Sequence, residues 1–195
     1  MKSTSSLRFC LSAVLFSAVL SACTGLPIQE AIERLAVKPI CCKNFSELPF
    51  QHLSAGVRLK FALSTASPVM QTGVSRSYVA AFSLPPGATT VQVQSMNSAY
   101  LPNTSYVDPL LVFLDSEKRP IEQRGQINLQ KGKHVIVTGL WEWYFGADLR
   151  LPTNAAHLVV FADNASNRVQ TATADNGALW PVPSAPIGSL ALVVR

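Results

Sequence analysis

"VRLKFAL", residues 57–63, alternates apolar and charged side chains. In an extended chain Val57, Leu59, Phe61 and Leu63 fall on one face and Arg58 and Lys60 on the other, the pattern of a half-buried strand. The same period of two continues outward. "SYVAAFSLP" (77–85) groups Tyr78, Ala80, Phe82 and Leu84, and "VQVQSM" (91–96) turns Val91 and Val93 inward and Gln92 and Gln94 to solvent. "PLLVFLD" (109–115) is apolar on both faces and suits a central strand, ended by the polar turn "DSEKRP". "QINLQ", "HVIVTGLW", "AHLVVFAD" and "GSLALVVR" bring the expected total to about eight strands separated by Pro, Gly, Asn and Asp. Short strands with regular turn signals, and little helical pattern after residue 50, predict an all-β fold: an antiparallel β-sandwich, with a jelly-roll as the alternative.

Ahead of the strands, "LPIQEAIERLAV" (26–37) spaces Ile28, Ile32 and Leu35 at i, i+4 and i+7 after Pro27. That spacing predicts a short amphipathic helix or tether leading into the body. The first residues read differently. Lys2 and Arg8 precede an uncharged apolar run from about Phe9 to Leu20, followed by Ser21 and Ala22, the layout of a signal peptide. The run is shorter than the ~20 residues of a spanning helix. "LSAC", residues 20–23, resembles the bacterial lipobox, in which the cysteine is diacylated and becomes the mature N-terminus. Each buried methylene contributes ~0.8 kcal/mol, so two or three chains on Cys23 would hold the protein on a membrane. Thr24, rather than Asp, follows the cysteine, which resembles the signal for the outer membrane, with the body facing the periplasm. The expected organisation is therefore a signal peptide over 1–22, a lipidated tether with a short helix over 23–40, and one β-sandwich domain over 41–195.

The chain carries 16 Lys and Arg against 11 Asp and Glu; loss of Lys2 and Arg8 with the signal peptide lowers the formal charge from +5 to +3. The basic residues form no run or stripe, which argues against a nucleic-acid partner. Cys10 lies in the discarded segment and Cys23 is the lipid site, so only Cys41 and Cys42 remain for disulfide chemistry. In an oxidising compartment the choices are a ring between adjacent cysteines, two buried thiols, or bridges to another molecule. The spacing is not C-x-x-C, which favours a lock on a sharp turn over a redox catalyst.

No nucleophile elbow, phosphate loop, dinucleotide fingerprint or zinc-protease motif occurs. His52, His134 and His157 are scattered, and Asp108 and Asp115 bracket a strand whose ends lie ~20 Å apart, too far for a glycosidase pair. The expectation is a non-enzymatic protein without metal or cofactor. The densest aromatic cluster is "GLWEWYFG", 139–146. As a continuation of the preceding strand it places Trp141, Trp143 and Phe145 on one face and Glu142 and Tyr144 on the other. Trp141, Trp143, Tyr144 and Glu142 are thus candidates for carbohydrate binding, since sugar C–H faces pack on flat rings and polar groups take hydroxyls. The alternative is that these rings plug one end of the sandwich. "NSAYLPNTSY" (97–106) is a weaker candidate rim.

Taken in order, "PICCKNFSELPF" (39–50), "SPVMQTGVSRSYVAAFSLP" (67–85), "DPLLVFLDSEKRPI" (108–121), "AHLVVFAD" (156–163) and "PVPSAPIGSLALVVR" (181–195) resemble the maltose-operon periplasmic protein (MalM) family. The resemblance implies a Gram-negative envelope protein, accessory to maltose and maltodextrin uptake, with no established enzymatic activity. Expected partners are the membrane, through the lipid, with maltodextrin or another glycan and a porin or other envelope protein. The competing expectation is a structural or interaction lipoprotein that contacts outer-membrane proteins or cell wall and binds no sugar.

Overall fold

Residues 28–72, 75–96, 104–125, 127–137, 140–163, 168–173 and 177–195 are described by a computed structural model. The segment read as a signal peptide, residues 1–22, and Cys23 lie outside the described residues. The alternation at 57–63 becomes a strand over Arg58–Leu63, with Val57, expected on its inward face, left outside it and 55% exposed; the described chain is mostly β, a sandwich-like arrangement of sheets preceded by one short helix.

In chain order the elements are α1 (Ile28–Val37), a 3₁₀ turn (Phe45–Glu47), β1 (Phe50–His52), β2 (Arg58–Leu63), β3 (Val69–Thr72), β4 (Ser75–Ser83), β5 (Thr90–Met96) and β6 (Pro109–Leu114). Then follow β7 (Pro120–Arg124), β8 (Gln130–Val137), β9 (Leu140–Arg150), β10 (His157–Ala162), β11 (Val169–Thr173), β12 (Leu179–Pro183) and β13 (Gly188–Val194).

Among the described residues three sheets result. A six-stranded sheet has the order β1-β4-β10-β6-β7, with β3 also on β4; a five-stranded sheet runs β2-β13-β5-β9-β8; β11 and β12 form a hairpin of their own. β4 is long enough for one of its sides to serve two short strands: β3 pairs antiparallel along 75–78, and β1 pairs parallel along 81–83. Between these, the N–H of Val79 donates to the Pro68 carbonyl at 3.0 Å, so the gap leaves that group satisfied.

Tyr78, Phe82, Phe113, Leu158 and Val160 of the larger sheet meet Val91, Val93, Leu190, Leu192 and Val194 of the smaller in one apolar core. Rings cross the interface, as where Phe61 stands edge-on to Phe82 with centroids 4.8 Å apart. A second apolar cluster explains why β6 and β10 are apolar on both faces. Val79, Ala81, Val112, Val159 and Phe161 occupy the alternate positions and pack beneath Cys42, Leu48 and Phe45 of the N-terminal segment. The sulfurs of Cys41 and Cys42 are bonded to each other, and the Cys41 N–H donates to the Val69 carbonyl at 2.9 Å. The cysteine turn is therefore stitched to β3 while Cys42 is buried over the sheet.

The helix is seated on the body. Ala31 and Leu35 are buried, Leu35 within the main core, whereas Ile32, expected on the same apolar stripe, is 45% exposed. Arg76 of β4 donates to the carbonyls of Ala36 and Lys38 at the end of the helix, a natural place for a cation.

Several strands were not anticipated by pattern. β1 and β3 are three and four residues long, β7 is a polar edge that begins with a proline, and β11–β12 mixes threonines with Pro181 and Pro183. "QINLQ" is not a strand over 127–129, although Ile127 and Leu129 are buried. "HVIVTGLW" is not one strand either: β8 and β9 pair antiparallel from Val137 opposite Leu140, so the chain reverses inside that stretch.

Candidate functional site

The β8–β9 hairpin carries the aromatic cluster. Its register sets Lys131 opposite Phe145, Lys133 opposite Trp143 and Val135 opposite Trp141 on one face, and Gly132 opposite Tyr144 and His134 opposite Glu142 on the other. The first face is the core side. Phe145 is 3% exposed and packs edge-on to Tyr106, with centroids 5.5 Å apart. One step along the strand the cover ends: Trp143 is 45% exposed and Val135 49%. Lys131 Nζ lies 4.7 Å from the centre of a Trp143 ring and donates to the Thr173 carbonyl of β11 at 3.3 Å. The indole is thus held by a cation that is itself tied to the neighbouring hairpin. The side chain of Trp141 lies outside the described residues; its place is given by the register alone.

Glu142 and Tyr144 belong to the opposite, outer face, where their surroundings are closed. The Tyr144 ring lies across two glycines: a Cβ on Gly132 would stand 2.5 Å from Tyr144 Cζ, and one on Gly146 would stand 2.8 Å from the Val93 carbonyl and 2.9 Å from the same ring. At Gly146 the Val93 backbone carbonyl leaves no room for a side chain, while at Gly132 a side chain would have to displace the end of the Tyr144 ring. Glu142 is clasped by Lys60 Nζ at 2.8 Å and Arg58 Nη2 at 2.9 Å. Burial alone would raise its pKa, but the bonds and charges of Lys60 and Arg58 prevail and hold its carboxyl below the usual value. From Arg58 the network continues across the strands: Nε donates to Gln94 Oε1 at 2.7 Å, Gln94 Nε2 to Gln92 Oε1 at 2.7 Å, and Gln92 Nε2 to Asp148 Oδ2 at 3.3 Å. Gln94, expected in solvent, is 3% exposed because Arg58 lies over it.

The four candidate residues therefore do not converge on one ligand position. Trp143 looks out from the core side of the hairpin, with lysines around it, while Glu142 and Tyr144 are occupied on the far side of the sheet. Sequence reasoning missed Trp180, which stands opposite Ala172 in the β11–β12 hairpin and is 37% exposed. A tryptophan between Leu179 and Pro181 in a short proline-containing hairpin carries no period to reveal it. Gly132 and Gly146 were missed as well, although a glycine inside a strand pattern signals close approach of another group.

Other candidate groups are committed locally. Asp108 is buried, with Arg168 Nη1 3.5 Å away, and Asp115 accepts the N–H groups of Glu117 and Arg119 in its own turn, each at 2.9 Å. His157 Nδ1 is 3.2 Å from the Ser83 hydroxyl, beside the Phe50 ring. Burial, seconded by the charge of Lys118, lowers its pKa. Among the described residues no group of three His, Cys, Asp or Glu is placed to hold a metal ion, and no helix is long and apolar enough to cross a membrane. A cleft of about 120 Å³ lies where β3 and β1 leave the side of β4 open, lined by Leu48, Pro68, Phe61 and Val79. Its volume is well under the ~300 Å³ at which small-molecule sites begin. No protein-family model, curated protein or solved structure matches the chain.

Proposed function

We propose that this chain is a non-enzymatic envelope lipoprotein, held through Cys23 on the periplasmic side of the outer membrane and accessory to carbohydrate uptake, and that Trp143 is its sugar-contacting residue. The observation that carries the reading is the half-exposed Trp143 on a well-paired hairpin, with Lys131 over the ring. Large rings gain most from burial, and a tryptophan left at the surface beside polar groups suits recognition of a flat ligand face. The lipobox-like "LSAC" supports the anchor, and the segments resembling the maltose-operon family support the link to uptake.

Titration of the full chain in mild detergent with maltodextrins, followed by tryptophan fluorescence, tests the binding claim. The expected result is a saturable change that disappears in Trp143→Ala; no response up to millimolar sugar rejects it. The anchor is tested separately: Cys23→Ser should release the protein from the membrane fraction, and mass analysis should find acyl chains on the wild-type N-terminus.

A second reading, a scaffold that contacts another envelope protein, is favoured by the exposed apolar side chains Val135, Val169 and Leu179 on the two hairpins linked by Lys131. It is preferred if sugars give no response while crosslinking through the Trp143 position captures an outer-membrane protein.

A further inference from the structure

We infer that helix α1 docks on the phospholipid surface, lying along it on the flank formed by Ile28, Ile32 and Ala36; the inference rests on the anchor reading above and adds to it a contact and an orientation. The three residues recur at i, i+4 and i+8, so they form one row along the helix. That row adjoins Ala31 and Leu35, which the body buries. At about 100° per residue the five side chains span roughly 140° of the helix, an apolar arc wider than the part the body covers. Ile32 and Ala36 are exposed, and Ile28 is half-buried. The opposite flank differs: there Arg34 and Glu30 hold each other at 2.6 Å. The two flanks of one short helix thus ask for different surroundings, the first apolar and the second wet.

What covers the apolar flank follows from the chain ahead of it. From Cys23 to Ile28 there are five Cα steps, which at full extension reach about 18 Å. Acyl chains on Cys23 lie in the hydrocarbon, so the start of α1 is held within that radius of the lipid surface. A helix of ten residues is about 15 Å long, too short to cross a membrane and long enough to lay its whole apolar row on one. Interfacial helices bury such a row about 5–10 Å into the headgroup boundary. Glu30 and Glu33 balance Arg34 and Lys38 in formal charge, so the attraction is apolar burial rather than a pull on anionic lipid. The helix is also fixed to the body. Leu35 sits in the main core, Arg76 donates to the carbonyls of Ala36 and Lys38, and Lys38 Nζ donates to those of Thr65 and Ser67. Docking of α1 therefore orients the whole sandwich on the membrane.

The test places photoreactive benzoylphenylalanine at single positions of the full chain, acylated in cells and reconstituted in vesicles of phosphatidylethanolamine and phosphatidylglycerol. Irradiation with the probe at position 32 or 36 should give phospholipid adducts severalfold above those at position 30 or 34, read by mass spectrometry of the helix peptide. A charge placed on the row, Ile28→Asp, should cut the adducts from position 32 severalfold, whereas Glu33→Gln should leave them unchanged. The yields should not fall with added salt, because screening does not weaken apolar burial. An unchanged urea midpoint in each variant excludes misfolding as the cause. Equal yields at 30, 32, 34 and 36 overturn the assignment to this flank. Adducts at none of them, on a chain whose Cys23 carries acyl groups, overturn the docking and leave the anchor reading standing. Adducts to a second copy of the chain in place of lipid overturn it in favour of self-association through α1. A Cys23 without acyl chains removes the anchor reading and this inference with it.

Discussion

The two large sheets share one core but treat their outer faces in opposite ways. The six-stranded sheet is covered by other parts of the chain: Cys42, Phe45 and Leu48 lie over Val79, Val159 and Phe161, so β4, β6 and β10 are apolar on both sides. Among the described residues no such segment covers the five-stranded sheet. Its outer face is shielded by its own polar side chains, with Arg58, Lys60, Gln92 and Gln94 flanking Ala191 and Val193, which are 0% and 8% exposed. Long stems over small residues exclude water while their polar heads remain bonded. A sheet can thus be sealed by a second layer of chain or by a lattice of its own side chains, and only the first needs apolar residues on both faces. Trp143 lies where neither device reaches, at the end of the hairpin that passes out of the core.

The sharpest way to break this contrast is truncation on each outer face. Phe161→Ala removes a ring packed against Phe45 beneath the cysteine turn and should cost about 3–5 kcal/mol, while Gln92→Ala on the smaller sheet should stay within about 0.5 kcal/mol in urea unfolding. Comparable losses would show that the polar lattice matters as much as the apolar cover. Next in size, Glu142→Ala leaves Arg58 and Lys60 facing each other across a vacated position and should cost about 1–2 kcal/mol, with Asp148→Ala nearly neutral because its partner Arg195 is exposed. Replacing Cys41 and Cys42 by serine opens a minimal loop, for which chain entropy gives about 1 kcal/mol. Hydrogen exchange should then rise over residues 41–48 and in β3, and remain unchanged in β5, β9 and β13.

The smallest effect is in pH. The pKa of His157 is below its ordinary 6.5 in the folded protein, so the unfolded chain takes up its proton first. Stability from neutral His157 is full above 6.5 and is lost as pH falls toward the lower folded value. Glu142, depressed from 4.5, supplies stability above 4.5 that is lost only as pH falls through its own lower value. His157→Gln should flatten the urea midpoint between neutral and mildly acidic pH and leave the steeper acid limb, whereas Glu142→Gln should do the reverse. Identical profiles for both variants would place the acid sensitivity elsewhere.

The sandwich was legible wherever a strand had one wet face or two dry ones. "VRLKFAL" and "VQVQSM" show alternation because their outer residues belong to the polar lattice, and "PLLVFLD" shows none because the N-terminal segment buries its second face. What escaped had no period to read: the three residues of β1, the polar edge β7, and the proline-rich β12. The merger of β8 with β9 has a particular cause, since Thr138 and Gly139 are not among the strong hairpin pairs and apolar residues flank them on both sides. For the candidate site, the period placed Trp143 opposite in face to Glu142 and Tyr144 correctly. Only long-range packing revealed that Glu142 is claimed by two cations from β2, because nothing near it in the chain announces Arg58 and Lys60.

The position of β13 between β2 and β5 also sets an order in time. β8 and β9 are neighbours in sequence and can zip together within microseconds, so the hairpin that carries Trp143 is available early. Phe61, by contrast, pairs with Leu190, and that contact closes a loop spanning most of the domain. Until it closes, Arg58 has neither Gln94 nor Glu142, and an unpaired edge of β5 stands open to other chains. Closing of the five-stranded sheet is therefore the slow event in this fold, and a refolding experiment should see the Trp143 environment form before the ion pairs of Glu142.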